Sequence, residues 1–321
     1  MILGSGALWL NLLSMAVLSL AIFSLVQIAS VPLVRRLCAR CTPIQRKSLL
    51  LCWALSPWFW VTLLTASAFT GTATDDGSVS ALLGLTHWHH ADWFVLDSWH
   101  LGLLAGGALW VAIAANRVVR HTRSVRRQHR VLASLAPPSQ DQQDVHRLPT
   151  QDLIAVNSGL WRHTIYLSHG LLERLTPSQR EVVIQHERAH QSRRDNLSRW
   201  LMMSACAHLP KRVSKPVMDH YVLATEQLAD RHAALHVGSG AQVADTLLQV
   251  ARLSTASTMA AARFNDGEAV RERILELLQP RTSSRTRTIL TLLALYIGAL
   301  ITLAATDHFH HGLDMLFSHN H

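Results

Sequence analysis

The sequence predicts a mostly α-helical membrane protein, with four transmembrane helices and an α+β domain on the cytoplasmic side. Three observations predict it. Long apolar stretches recur along the chain, its basic residues fall on one side of them, and a well-capped helix follows two short β-rich runs.

Of 321 residues 49% are apolar, and the mean hydropathy of +0.16 is high for a chain with a sequence pI near 10.2. Four stretches are candidate spans: Ala7 to Val34, Ser48 to Thr70, Leu101 to Val119 and Ile289 to Ala305. A span takes about 20 mostly apolar residues, so the first two suffice alone and the last two need flanking residues. Met1 to Trp9 contains no Lys or Arg, so the first stretch reads as a retained helix rather than a signal peptide.

Cytoplasmic loops retain Lys and Arg. Arg35, Arg36, Arg40, Arg46 and Lys47 separate the first two stretches, whereas Gly71 to His100 has no Lys or Arg. Arg117, Arg120, Arg123, Arg126, Arg127 and Arg130 follow the third stretch, and Arg281, Arg285 and Arg287 precede the fourth. Both termini are thus expected outside, with residues 116 to 288 in the cytoplasm. The net charge of +9 then needs no direct nucleic-acid partner. The Arg117 to Arg130 run reads as an anchor to anionic head groups, at about 1 kcal/mol per charge.

The expected organisation is three spans in 1–130 with a His-rich outer loop at 71–100, a linker at 131–149, a domain at 150–286, and a fourth span with a short His-rich outer tail at 287–321. Cys38, Cys41, Cys52 and Cys206 all fall in the membrane or on the reducing side, which argues against a disulfide framework. Within the domain, Leu153 to Val156 and Thr164 to Leu167 flank the turn-like Asn157-Ser158-Gly159 and suggest a strand pair. Thr176-Pro177-Ser178-Gln179 offers an N-cap, a proline at the first helical position and a capping-box glutamine, opening a helix expected to run through His190. Further helices are expected over Met218 to His236, Gln242 to Leu253 and Glu268 to Leu278.

His186-Glu187-Arg188-Ala189-His190 is an H-E-x-x-H motif. Residues four apart share a helix face, so both imidazoles can bind one ion while Glu187 reaches an attacking water. In a chain with 20 His the motif needs context, and a pair of satisfied or exposed histidines is the alternative. Hydrolytic zinc is commonly held by two histidines and a glutamate, with one position left open. Glu226 is the candidate third ligand, in Glu226-Gln227-Leu228-Ala229-Asp230. Asp230, one turn further on the same face, and Asp195 are candidates to orient the ligating imidazoles.

These residues, with Thr164-Ile165-Tyr166-Leu167-Ser168, Leu175-Thr176-Pro177 and Arg194-Asp195, resemble the membrane metallopeptidases of the BlaR/MecR type. The family layout of three spans before the peptidase domain and one after is also similar. The resemblance implies a zincin-like (gluzincin) domain with Zn²⁺ as cofactor, a multi-pass protein of the bacterial inner membrane, and a protein substrate: a cytoplasmic repressor of the BlaI/MecI/CopY type. Two departures stand out. Where that family shows an aromatic-rich stretch this chain has Ala207-His208-Leu209-Pro210-Lys211-Arg212, and only sixteen residues follow Ala305, too few for a penicillin-binding sensor.

The expected chemistry is peptide hydrolysis with Glu187 as proton acceptor. His232 is a candidate oxyanion helper, and Ile165, Tyr166 and Leu167 are candidates for an edge strand that pairs with substrate. Two other readings stand beside the signalling peptidase: a housekeeping membrane-protein peptidase of the HtpX kind, and a sensor that does not cleave. His87, His89, His90, His308, His310 and His311 form a candidate outer site for a transition-metal signal. A His-rich polar surface or a histidine pH sensor would account for the same residues.

Overall fold

The computed structural model describes residues 2–71, 93–94, 99–136, 144–161, 163–255 and 267–281. The expected fourth span and the candidate outer histidines His87, His89, His90, His308, His310 and His311 lie outside the described residues.

Helices α1 (Ser5–Cys38) and α2 (Pro43–Gly71) are joined by four residues. Their cross-links run in opposite sequence directions, so the pair is an antiparallel hairpin. Arg46 Nε donates to the Cys38 carbonyl at 3.0 Å, Trp53 Nε1 to Ser30 Oγ at 2.9 Å, and Gln27 Nε2 to the Trp53 carbonyl at 2.7 Å. Short strands β1 (Ile2–Leu3) and β2 (Trp93–Phe94) pair antiparallel. Helix α3 (Trp99–Leu135) then continues unbroken from its apolar half through the arginine run. Among the described residues two helices are long and apolar enough to cross a membrane, Ser5–Cys38 and His100–Leu135.

A three-stranded sheet follows, with β3 (Val145–Leu148), β4 (Ala155–Ser158) and β5 (Thr164–Ser168) in the order β3-β5-β4. β3 runs parallel to β5, pairing Val145 with Ile165, and β4 runs antiparallel to it, pairing Asn157 with Ile165. Two expectations change here. Of the expected linker 131–149, residues 131–135 end α3 and Val145–Leu148 are a strand. Val145 and Leu148 are buried on opposite faces of the sheet: Val145 packs with Ile165, Leu167 and Ile184, and Leu148 with Ala136 and Tyr166. Ile165, Tyr166 and Leu167 belong to the central strand: both of their ladders are occupied and all three are buried, so they offer no free edge.

Ser168 closes β5 and caps the short α4 (His169–Arg174), accepting from the Leu171 and Ile154 amides. Gly170 is required there, since a Cβ would come within 2.2 Å of the Gln151 carbonyl oxygen. Helix α5 (Pro177–Ser192) starts on the expected capping box, with Thr176 Oγ1 accepting from the Gln179 amide while Gln179 Oε1 accepts from the Thr176 amide. Helices α6 (Asp195–Ala205), α7 (Lys211–Val237), α8 (Gly240–Thr255) and α9 (Gly267–Leu278) complete the domain.

The hairpin and the domain share one core. Val34, Cys38, Leu49, Leu50, Trp53 and Ala54 pack with Met202, Ala205, Cys206, Leu209, Val217 and Tyr221 of α6, α7 and their connection. That connection presents carbonyls that α2 and α3 satisfy. Trp58 Nε1 donates to Ala205 at 2.9 Å, Trp110 Nε1 to His208 at 3.0 Å, and Arg117 Nη1 to both Ala207 and Leu209 at 2.9 Å. Arg117, expected among the head-group anchors, therefore serves here as a backbone clamp. Burial without such donors would leave these carbonyls unpaired, at about 1 to 3 kcal/mol each.

Candidate metal centre

Helix α5 carries His186 and His190 one turn apart, and α7 lies against it with Glu226. The ligand atoms of these three side chains all lie within 4.8 Å of one another. The two Nε2 atoms are 3.1 Å apart, and the Glu226 carboxylate oxygens approach them at 3.4 Å (Oε2 to His186) and 3.7 Å (Oε1 to His190).

The opposite side of each imidazole is held by an aspartate. His186 Nδ1 lies 2.9 Å from Asp230 Oδ1, and His190 Nδ1 lies 2.8 Å from Asp195 Oδ2. A buried carboxylate accepts a hydrogen bond, so each Nδ1 carries a hydrogen and each Nε2 turns a lone pair inward. The two imidazole lone pairs then face each other and the Glu226 carboxylate, whose outer contacts are Arg199 at 3.4 Å and Arg273 at 3.5 Å. Only a proton or a cation reconciles such a set. Two imidazoles and one carboxylate suit Zn²⁺, and the aspartates supply the outer carboxylates that ligating histidines usually engage. The residues present therefore fit the metal.

The electrostatics agree. Burial acts to lower the His186 pKa, but its hydrogen bonds with Asp230 and Glu226 outweigh it and raise the value to about 10. For His190 burial again lowers, and the charge of Glu226 with the Asp195 hydrogen bond prevails, so the pKa rises. Glu226 moves well below its ordinary value, because the charges and hydrogen bonds of His190, His186 and Arg273 overcome burial. Each Nε2 thus lies in a field that favours positive charge.

A turn and two arginines build the surroundings. Arg194 adopts φ 51, in the left-handed region rare for a residue with a Cβ, and this corner swings Asp195 back towards His190. Arg193 secures Asp195 Oδ2 at 3.1 Å, and Asn196 fixes the end of β4 by donating to the Asn157 and Gly159 carbonyls. Asn157 Nδ2 in turn donates to the Glu187 carbonyl at 3.2 Å, tying β4 to the motif helix. Glu187 itself is buried, one position along α5 from His186.

Arg273 of α9 forms a bidentate pair with Asp230, both contacts at 2.7 Å, and reaches Glu226 at 3.5 Å. No motif in the sequence pointed to it. The candidate helper His232 is not brought to the cluster: two positions past Asp230 on α7 it faces away and stacks on His236, ring centroids 6.1 Å apart.

No curated protein and no solved structure matches the chain. Residues 120–269 match the model of Peptidase family M48, so the segment that builds this centre is similar to the peptidases of that family, which supports a metallopeptidase.

Proposed function

We propose that the chain is a membrane-embedded zinc metalloendopeptidase that cleaves a cytoplasmic transcriptional repressor in response to a signal at the outer face. The observation that carries the peptidase reading is the convergence of His186, His190 and Glu226 beside Glu187. The resemblance to BlaR/MecR-type proteins supports the repressor as substrate, and the candidate outer histidines suggest a transition-metal ion as signal.

His186, His190 and Glu226 would hold Zn²⁺, with Asp230 and Asp195 fixing the imidazole tautomers. The ion, when bound, polarises the scissile carbonyl and lowers the pKa of water towards about 7. Glu187 accepts the proton of the attacking water and returns it to the leaving amine as the C–N bond breaks. An extended substrate has a place along β4, which pairs only with β5 among the described strands and is fixed to α5 through Asn157.

The test uses the purified full chain in detergent with a small winged-helix repressor as substrate and an unfolded membrane protein as comparison. Removing metal with 1,10-phenanthroline is expected to abolish cleavage, and added Zn²⁺ to restore it. Cleavage that survives chelation overturns the metal mechanism. Preference for the unfolded membrane protein favours the housekeeping reading.

The orientation is tested separately with alkaline phosphatase fusions. Fusions after Asp76 and at the C-terminus are expected to be active, and a fusion after Asp144 inactive. The reverse pattern would put the domain outside, out of reach of any repressor.

A further inference from the structure

The geometry points to Lys47, at the start of α2, as a positioning residue for the metal site, acting through Asp195 on His190. This deepens the proposed function and rests on its metal assignment.

Asp195 is only 2% exposed and divides its two oxygens between two tasks. Oδ2 faces His190 Nδ1 at 2.8 Å, and Oδ1 accepts from Lys47 Nζ at 2.5 Å. The lysine is itself largely buried, with Nζ 5.8 Å from the Tyr221 ring centroid, so water is a poor substitute for it. Arg193 also contacts Asp195, but on Oδ2, the oxygen that already faces the imidazole. Lys47 is therefore the contact that fixes the second oxygen and with it the rotation of the carboxylate. An imidazole that donates to a carboxylate is a stronger metal ligand and has one tautomer.

The neighbouring residue makes a second strut. Arg46 Nη1 donates to Gln227 Oε1 at 3.3 Å, beside Glu226 in α7, while its Nε holds the Cys38 carbonyl at the end of α1. Two consecutive residues of the hairpin corner thus reach α7, which carries Glu226, and the first residue of α6, whose carboxylate holds His190 of α5. A shift of that corner relative to α6 would alter the carboxylate behind a metal ligand, which makes the centre responsive to the hairpin's position.

The experiment compares wild type, Lys47→Met, Lys47→Gln, Lys47→Arg and Trp58→Phe in the full chain in detergent. Zinc affinity is measured by competition with a chromogenic chelator, and the ligand field by the visible spectrum of the cobalt-substituted protein. Trp58→Phe is the structural control: it removes the α2 bond to the Ala205 carbonyl from the same interface without touching Asp195. Lys47→Met is expected to weaken zinc about tenfold and shift the cobalt bands, as loss of outer-shell partners does. Lys47→Arg, which keeps the charge, should recover most of the affinity, and Trp58→Phe should match wild type. Unchanged affinity and spectrum in folded Lys47→Met overturn the inference. So does an equal loss in Trp58→Phe, which would mean that interface packing rather than the ammonium is felt at the metal. Should Lys47→Met not fold, failure of Lys47→Arg to hold zinc better than Lys47→Gln overturns it. A wild-type chain that binds neither metal would instead defeat the metal assignment itself.

Discussion

Glu187→Gln is expected to retain zinc and fold while losing peptide cleavage by about 10³-fold or more, the upper part of the range for a positioned acid–base group. The substitution is nearly isosteric, so the buried side chain keeps its volume, and the Asn157 bond reaches only the Glu187 backbone carbonyl. Nor is Glu187 one of the three converging ligands. What disappears is the ability to accept a proton from water. Metal content and cleavage should be measured on one preparation. Glu226→Ala supplies the contrast, because it removes one of three ligands and should lower zinc occupancy first and activity as a consequence. A Glu187→Gln protein with activity within tenfold of wild type would sink the proposed mechanism. Loss of zinc in that variant would mean that Glu187 is a ligand.

The site was legible in the sequence wherever its geometry is local. His186 and His190 share a face because a helix repeats every 3.6 residues, and the Thr176 capping box announces where that helix begins. The same period relates Glu226 to Asp230, so recognising one carboxylate implied the other. Asp195 lies five residues past His190, but its return depends on the left-handed corner at Arg194, which no residue type there announces. Arg273 and Lys47 could not be read at all. Arg273 reaches Asp230 across 43 positions and Lys47 reaches Asp195 across 148, and nothing in their local pattern separates them from solvated charges. The sheet failed in a similar way. Two of its β-rich runs were visible, but Val145-His146-Arg147-Leu148 is a short strand with two polar residues at its centre and Pro149 directly after it, and without it Ile165 to Leu167 looked like an edge. Strand order is a property of pairing, which a pattern of alternating residues does not specify.

Asp230→Ala is expected to be the most damaging single change outside the ligands, through two separable effects. Asp230 has no exposed surface and stands between His186 Nδ1 at 2.9 Å and the Arg273 guanidinium at 2.7 Å. Removing it leaves Arg273, itself buried, without its bidentate partner, and breaking such a pair costs about 3 to 5 kcal/mol. The nearest remaining carboxylate is Glu226, 3.5 Å from Arg273 Nη1, so the freed arginine would also compete for a metal ligand. Zinc affinity should fall by about 10- to 100-fold. The double variant Asp230→Ala, Arg273→Met separates the effects: it should recover much of the stability, the unpaired charge being gone, yet little zinc affinity, because His186 still lacks its acceptor. The pH dependence of the metal-free protein checks the same pair. Arg273 and His186 depress the Asp230 pKa despite burial, so its stabilising contribution is complete above about 3.9 and fades as pH falls through the native value. His186 is raised to about 10, so its contribution is complete below about 6.5 and fades as pH rises towards 10. The stability deficit of Asp230→Ala, measured by denaturant unfolding with metal removed, should therefore be largest between about pH 4 and 6.5 and shrink on either side. A deficit that grows from pH 7 to 10 would contradict the His186–Asp230 pair.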